Sequence, residues 1–117
     1  MTIKIKRAYL PFDDGDGFRI LVDRLWPRGL SKERAKLDLW LKDVAPSNEL
    51  RKWFAHDLER WEEFQIKYGE ELNDKREILN KIKDIEKEKL TITLVYGAKD
   101  EEHNNAVVLR SELKDFI

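Results

Sequence analysis

The sequence predicts an α/β domain in which helices cover a small, mainly parallel sheet of three strands or slightly more. Two short strand-like segments come first, and a long central region with helical periodicity follows them. A β-branched run and a last helical segment complete the chain. Because helices separate the second strand from the third, we expect these two strands to pair in parallel.

The predicted strands are short and apolar on at least one face. The first covers residues 3–5 and extends toward Tyr9, with apolar residues alternating with basic ones. An acidic turn with two glycines at 13–17 separates it from the second strand at 18–22. The third strand covers residues 90–96, which are rich in β-branched side chains. It ends at a glycine.

The central region predicts two helices on one apolar stripe. From Leu50 to Leu72, apolar residues recur three and four positions apart, as on the buried side of a helix. Ser47 follows a proline and suits the N-cap of the first helix. A break near His56-Asp57 would divide the stripe, with Asp57 capping the second helix.

Two further helices are predicted in the C-terminal half. One starts at Asp74, where Asp74 and Glu77 have the spacing of a capping box. The other follows Asn104-Asn105. The residues expected to face the core are Ile78, Ile82 and Ile85 in the first of these helices and Ala106, Leu109, Leu113 and Phe116 in the second.

Composition restricts the class of protein. A chain of 117 residues has the usual length of one domain, so we expect residues 1–117 to form a single unit. It is 40% charged but also 41% hydrophobic, which argues against intrinsic disorder. There is no cysteine, so disulfides, thiolate nucleophiles and thiolate zinc sites are excluded. No stretch has the features of a signal peptide or a membrane span, and we expect a cytoplasmic protein.

The net charge of −1 conceals an uneven distribution. Residues 1–55 carry 12 Lys and Arg against 8 Asp and Glu, whereas residues 56–117 carry 11 against 16. Ligands of parallel sheets usually bind beyond the carboxyl ends of the strands. In this chain those ends are Asp23-Arg24 and Tyr96-Gly97, and basic residues surround both of them.

We therefore predict a basic and aromatic pocket at the strand ends that binds a small anion or phosphate. Guanidinium groups bind phosphate and carboxylate in bidentate fashion, and aromatic rings supply apolar walls. The predicted binding residues are Arg24, Arg28, Lys42, Arg51 and Lys99 for charge, Trp26 and Tyr96 for the walls, and Asn104 for polar contacts.

Whether such a pocket performs catalysis is left open by the sequence. In an enzyme, His56 would be the general acid or base, and hydrolysis or transfer on a phosphorylated metabolite would be the reaction. One alternative is an interaction module that binds a protein or a nucleic-acid end through the Arg/Trp surface without catalysis. In another, Arg24 and Trp26 pair within the protein and have only a structural role.

Other chemistries lack their motifs. There is no glycine-rich nucleotide fingerprint, no phosphate-binding P-loop and no Gly-x-Ser-x-Gly element. The Asp, Glu and His residues at 100–103 have no recognised metal-ligand spacing, so we predict no metal and no cofactor. Long nucleic acid is disfavoured because the acidic half would repel it, and we expect no membrane partner. The sequence leaves open whether the protein forms an oligomer.

Four motifs carry a family resemblance. VDRLWPRG at 22–29, WLKDVAPS at 40–47, LRKWFAHD at 50–57 and LVYGAKD at 94–100 resemble the YeaO-like branch of the family called domain of unknown function 488. The resemblance implies a small cytoplasmic α/β protein of prokaryotic type and assigns it no activity. The family pattern usually has a histidine after Asn104, where this chain has Asn105. That departure argues against a mechanism that needs an imidazole at the start of the last helix.

Overall fold

The computed structural model describes residues 1–116 and contains a four-stranded parallel sheet. The strands are β1 (Thr2–Arg7), β2 (Phe18–Leu21), β3 (Leu39–Trp40) and β4 (Thr91–Tyr96), in the spatial order β1-β4-β2-β3. The helices are α1 (Lys32–Ala35), α2 (Asn48–Phe54), α3 (Trp61–Asn73), α4 (Arg76–Lys89) and α5 (Asn105–Asp115). The predicted α/β class with parallel pairing of 18–22 and 90–96 is confirmed.

The strand β4 lies at the centre of the sheet and determines its register. Its first residue pairs with Thr2 of β1, and Ile92 pairs with Phe18 of β2. Residues 92–96 are all buried, as expected for a strand with neighbours on both edges and packing on both faces. The carboxyl ends of β2 and β4 consequently lie side by side.

The main core lies between the sheet and helices α2 to α5. On this face, Ile20, Ile92 and Leu94 of the strands pack with Phe64 and Tyr68 of α3, among other residues of the same cluster. Helix α5 contributes Ala106, Val108, Leu109 and Leu113 as buried residues. Phe116, which we expected in the helix, follows its last residue and is only half-buried.

The opposite face of the sheet has a thinner cover without a long helix. Leu21 and Val95 pack there against Leu30 and Ala35, which belong to the segment between β2 and β3. Trp26 is half-buried against the same cluster. The segment from 23 to 40 therefore covers this face and also borders the strand ends.

The predicted break in the central apolar stripe is confirmed. The helix α2 ends at Phe54, and both Ala55 and His56 have left-handed backbone angles, with φ of 44° and 58°. The Asp57 side chain then accepts a hydrogen bond from the Glu59 amide and caps a short 3-10 turn at Leu58–Arg60, whereas α3 itself begins after Arg60 without a side-chain cap, so the cap lies one turn earlier than predicted. Ser47 caps α2 through the Leu50 amide, as predicted.

The capping box predicted at Asp74 is wrong. Asp74 follows the end of α3, where its amide donates to the Glu71 and Leu72 carbonyls, and α4 begins two residues later at Arg76. The fully buried residues of α4 are Leu79, Ile82 and Glu86, and Ile78 and Ile85 are only half-buried. Of the three residues expected to face the core, only Ile82 is therefore fully buried.

The strand boundaries also differ in detail. β1 ends at Arg7, and Tyr9 lies in the following turn with an exposed ring. Leu90 is not part of β4 but ends α4, with a φ of 71° and an exposed side chain. The short elements α1 and β3 were not predicted.

Candidate functional site

A cleft of about 560 Å³ opens where β2 and β4 end, and we call it the strand-end cleft. Three stretches of chain contribute to its lining: residues 23–28 after β2, residues 45, 46, 51, 52 and 54–56 before and within the region of α2, and residues 97, 98, 104 and 105 after β4. Tyr9 and Phe64 complete the lining. The location agrees with the rule that parallel sheets bind ligands beyond the carboxyl ends of their strands.

Asp23 is a carboxylate of the cleft and joins its two strand ends. One of its oxygens accepts a hydrogen bond from the Gly97 amide at 2.8 Å, and the other accepts one from the Asn105 side chain at 3.1 Å. Burial raises the pKa of Asp23 above its ordinary value, although these hydrogen bonds and the nearby charges of His56 and Arg51 act in the opposite direction. Its oxygens are therefore occupied by protein donors.

Arg24, the next residue, is held in the cleft by backbone oxygens. Its Nε donates to the Pro46 carbonyl at 3.2 Å, and one Nη donates to the Ala45 carbonyl at 3.4 Å. No carboxylate of residues 1–116 lies within 4 Å of the guanidinium. The positive charge is thus fixed in position but not neutralised.

The segment from 44 to 47, which carries those carbonyls, is itself fixed by α3 and by Lys75. The buried Tyr68 hydroxyl donates to the Val44 carbonyl at 2.6 Å, and Lys75 donates to the Ala45 carbonyl at 3.0 Å. The Glu71 carboxylate accepts from the amide and hydroxyl of Ser47. Burial raises the pKa of Tyr68 and lowers that of Lys75. Hydrogen bonds from α3 and Lys75 therefore hold the wall behind Arg24.

Three more permanent cations line the strand-end cleft. Arg28, Arg51 and Lys52 are all exposed, and within the described chain none of them forms an ion pair. The side-chain hydrogen bond of Arg51 is to the neutral Asn48 amide, at 3.4 Å. Together with Arg24 they place four positive charges around a single carboxylate, Asp23.

His56 lies at the rim of the cleft on a strained backbone. A left-handed φ in a non-glycine residue is costly, and here two such residues, Ala55 and His56, follow one another. The imidazole is exposed, its centroid is 6.0 Å from that of Phe54, and it has no hydrogen-bonded carboxylate among residues 1–116. The geometry therefore presents His56 to the cleft without the orienting acid of a catalytic pair.

Trp26 has both a packing role and a place on the cleft wall. Its indole N–H donates to the Leu30 carbonyl at 2.6 Å, and its ring meets that of Trp40 edge-on at 5.4 Å between centroids. These contacts hold the ring in place, and part of it lines the cleft.

The structure brings six of the nine predicted site residues together on this cleft. They are Arg24, Trp26, Arg28, Arg51, His56 and Asn104. The Asn104 side chain, however, is used within the protein: it caps α5 through the Val107 amide at 3.1 Å and donates to the Asp100 carbonyl at 2.9 Å.

The other three predicted residues lie outside the cleft lining. Lys42 is exposed, and its ammonium group lies 4.1 Å from the centroid of the Trp40 ring. Tyr96 is buried in the main core cluster. Lys99 is exposed on the loop after β4. Conversely, Asp23 and Lys52 line the cleft but are not among the predicted binding residues, although the position of Asp23 directly after a strand was a usable signal.

Residues 1–116 contain no group of three or more His, Asp or Glu side chains placed to hold an ion. Within the same residues, no helix is long and apolar enough to cross a membrane.

Comparison with known proteins identifies the family. The model of a family described as the inactive DUF488-N3 subclade matches residues 2–117. The chain belongs to this subclade. It is 43% identical over 114 residues to the uncharacterized protein YeaO of Escherichia coli K12, covering 97% of this chain and 98% of that protein. It is also 49% identical to the uncharacterized protein Rv3073c of Mycobacterium tuberculosis H37Rv, covering 62% of this chain and 61% of that protein. No solved structure matches the chain significantly. The predicted resemblance to the YeaO-like branch is confirmed.

Proposed function

We propose that this subclade member is a binding domain for a small anion, which it holds in the strand-end cleft without chemical turnover. The observation that carries the proposal is that the positive charges lining the cleft have no carboxylate partners. Four permanent cations line it, and none of them is within 4 Å of a carboxylate in the described chain. Like charges repel one another and a cleft concentrates their field, so four unpaired cations on one concavity favour an external anion.

The arrangement of Arg24 supports a fixed binding site rather than a diffuse basic surface. The Nε and one Nη of Arg24 donate to backbone carbonyls, which leaves the other Nη available to bind a ligand. Because the side chain is already immobilised, binding an anion costs it little conformational entropy. Arg28, Arg51 and Lys52 are exposed side chains that would surround the bound ion.

A role without catalysis agrees with two observations. The family description calls the subclade inactive. In addition, His56, the candidate general acid or base, has no carboxylate to orient its ring in residues 1–116. We therefore propose that His56 contacts the ligand at the rim of the cleft instead of transferring a proton.

The test compares two double variants that remove the same charge. Arg28→Ala/Arg51→Ala takes two exposed cations from the cleft, and Lys42→Ala/Lys99→Ala takes two exposed cations from elsewhere. Titration with inorganic phosphate, followed by amide chemical shifts, should show perturbations around Gly97 and Arg24 in the wild type. Affinity should fall about tenfold or more in the cleft variant, since a charge-assisted hydrogen bond contributes about 1.5–3 kcal/mol.

The lysine double variant should change the affinity by less than about twofold once the salt concentration is matched. An equal loss of phosphate affinity in both variants would show that binding depends only on the overall charge of the protein, and it would overturn the proposal. Shift perturbations confined to residues outside the cleft would do the same. Arg24→Ala is avoided as the primary variant because it also releases the Ala45 and Pro46 carbonyls.

A further inference from the structure

The walls of the strand-end cleft are mostly apolar, and this is unexpected for a site that would bind only an inorganic ion. The cations alternate with apolar and aromatic side chains. These are Leu25, Trp26, Pro27, Pro46, Phe54 and Phe64. A volume of about 560 Å³ lies in the range of roughly 300–1,000 Å³ that organic ligands occupy. A free phosphate would leave most of that apolar wall in contact with water.

Leu25 is the most informative of these side chains. It is 60% exposed, yet it lies in a concave wall next to Arg24. Tyr9, another exposed large side chain, lines the same cleft and fixes its rim, because its hydroxyl donates to the Arg28 carbonyl at 2.8 Å. Exposed apolar groups beside unpaired cations gain free energy when a ligand with an apolar part covers them.

Planar ligands fit these walls better than flexible ones. Trp26 presents a ring already fixed by its contacts with Leu30 and Trp40. The guanidinium groups of Arg28 and Arg51 form no ion pair with residues 1–116 and can stack on a ring as well as bind an anion. Aromatic rings also pair with one another in offset or edge-on geometry.

We infer that the ligand of the strand-end cleft is an aromatic organic acid, whose phosphate or carboxylate lies against Arg24 and whose ring lies against Leu25 and Trp26. This inference rests on the proposed function and adds the chemical class of the ligand. No covalent step is involved.

The experiment compares three probes of similar charge: inorganic phosphate, glycerol phosphate and phenyl phosphate. Isothermal titration of the full-length protein should give an affinity for phenyl phosphate at least tenfold higher than for the other two. Leu25→Ser should weaken the binding of phenyl phosphate about three- to fivefold and leave the affinity for inorganic phosphate unchanged. Leu58→Ser is the matched control, because Leu58 is 58% exposed and lies outside the cleft lining.

The outcomes separate the two proposals. If the three probes bind with equal affinity and binding still depends on Arg28 and Arg51, the inference of an aromatic ligand is overturned. The proposal of anion binding then stands. Equal effects of Leu25→Ser and Leu58→Ser would also overturn it. If no probe binds at millimolar concentration, anion binding itself fails, and the aromatic ligand fails with it.

Discussion

The Asp23 carboxylate accepts a hydrogen bond of 2.8 Å from the Gly97 amide, 74 residues further along the chain. Asp23 follows β2 and Gly97 follows β4, so this contact connects the chain segments that leave two adjacent strands. The other carboxylate oxygen receives the Asn105 side chain at the start of α5. One side chain thereby joins the residues after β2 to both ends of the cleft-lining stretch after β4, and its own oxygens are satisfied in the process.

Asp23→Asn should destabilise the fold by about 1–3 kcal/mol, the cost of leaving a buried polar group without its partner. The asparagine amide has one oxygen instead of two, so its N–H groups would face either the Gly97 amide or the Asn105 amide. Urea unfolding at neutral pH measures the difference. Asp43→Asn is the control, since Asp43 is exposed and its carboxylate accepts no side-chain hydrogen bond within residues 1–116. Equal stability of the two variants would contradict this role.

The two glycines with positive φ should respond very differently to alanine. A Cβ at Gly17 would lie 2.2 Å from the Thr91 carbonyl oxygen, which belongs to the central strand. A Cβ at Gly29 would have nothing within 4 Å, so only the left-handed conformation costs energy there, about 1–2 kcal/mol. Gly17→Ala should therefore lower the free energy of unfolding, measured with urea, by at least about 2 kcal/mol more than Gly29→Ala does. If the variant is too unstable for that measurement, its circular dichroism spectrum should be that of an unfolded chain. Similar losses in both would show that β4 can move away from the turn.

A buried ion pair on the face of the sheet opposite the main core should make the free energy of unfolding depend on pH in the acidic range. The Asp16 carboxylate contacts Arg19, which is 1% exposed, at 2.5 Å and Lys6 at 3.0 Å. Burial alone would raise the pKa of Asp16, but the hydrogen bonds from Lys6, the Asp13 amide and Arg19 outweigh it and lower the pKa. The folded state therefore favours the ionised form, whose contribution is present above the ordinary value of 3.8 and is lost as pH falls through the lower folded value.

Asp16→Asn should reduce this acid sensitivity. The variant leaves Arg19 buried and unpaired, so it should be less stable than the wild type at pH 7 by about 3–5 kcal/mol. The difference in stability between the two proteins should narrow as pH falls below 3.8, because protonation of Asp16 removes the contribution of the ion pair from the wild type. Urea unfolding at a series of pH values measures both slopes, with the exposed Asp14→Asn as control. Parallel curves for the wild type and Asp16→Asn would refute the assignment.

Much of the fold could be predicted because its elements are long or strongly patterned. The apolar runs at 18–22 and 90–96 and the stripe from Leu50 to Leu72 each specify an element with its own periodicity. β3 has only two residues, Leu39–Trp40, and its extended form depends on pairing with Ile20 and Leu21 of β2. No local pattern encodes a strand of that length.

The candidate site was predictable in its position but not in all its members. Arg24 and the loop after β4 meet because parallel strands end at the same edge, which follows from topology alone. The direction of a long exposed side chain does not follow from topology, and Lys42 is turned toward the Trp40 ring. Asp23 is not among the predicted binding residues, because its role in joining the strand ends depends on its hydrogen bonds to Gly97 and Asn105, which are distant in sequence.

Tyr68→Phe should test whether the wall behind Arg24 is held from within the core. The variant removes the buried hydroxyl that donates to the Val44 carbonyl at 2.6 Å, and the loss should be about 1–3 kcal/mol in urea unfolding. Because residues 45 and 46 supply the carbonyls that fix Arg24, phosphate affinity should also fall a few-fold. Tyr9→Phe removes a hydroxyl whose bond to the Arg28 carbonyl is exposed, so it should cost less than about 0.5 kcal/mol. If both variants lose the same stability and Tyr68→Phe binds phosphate normally, Arg24 does not depend on the core for its position.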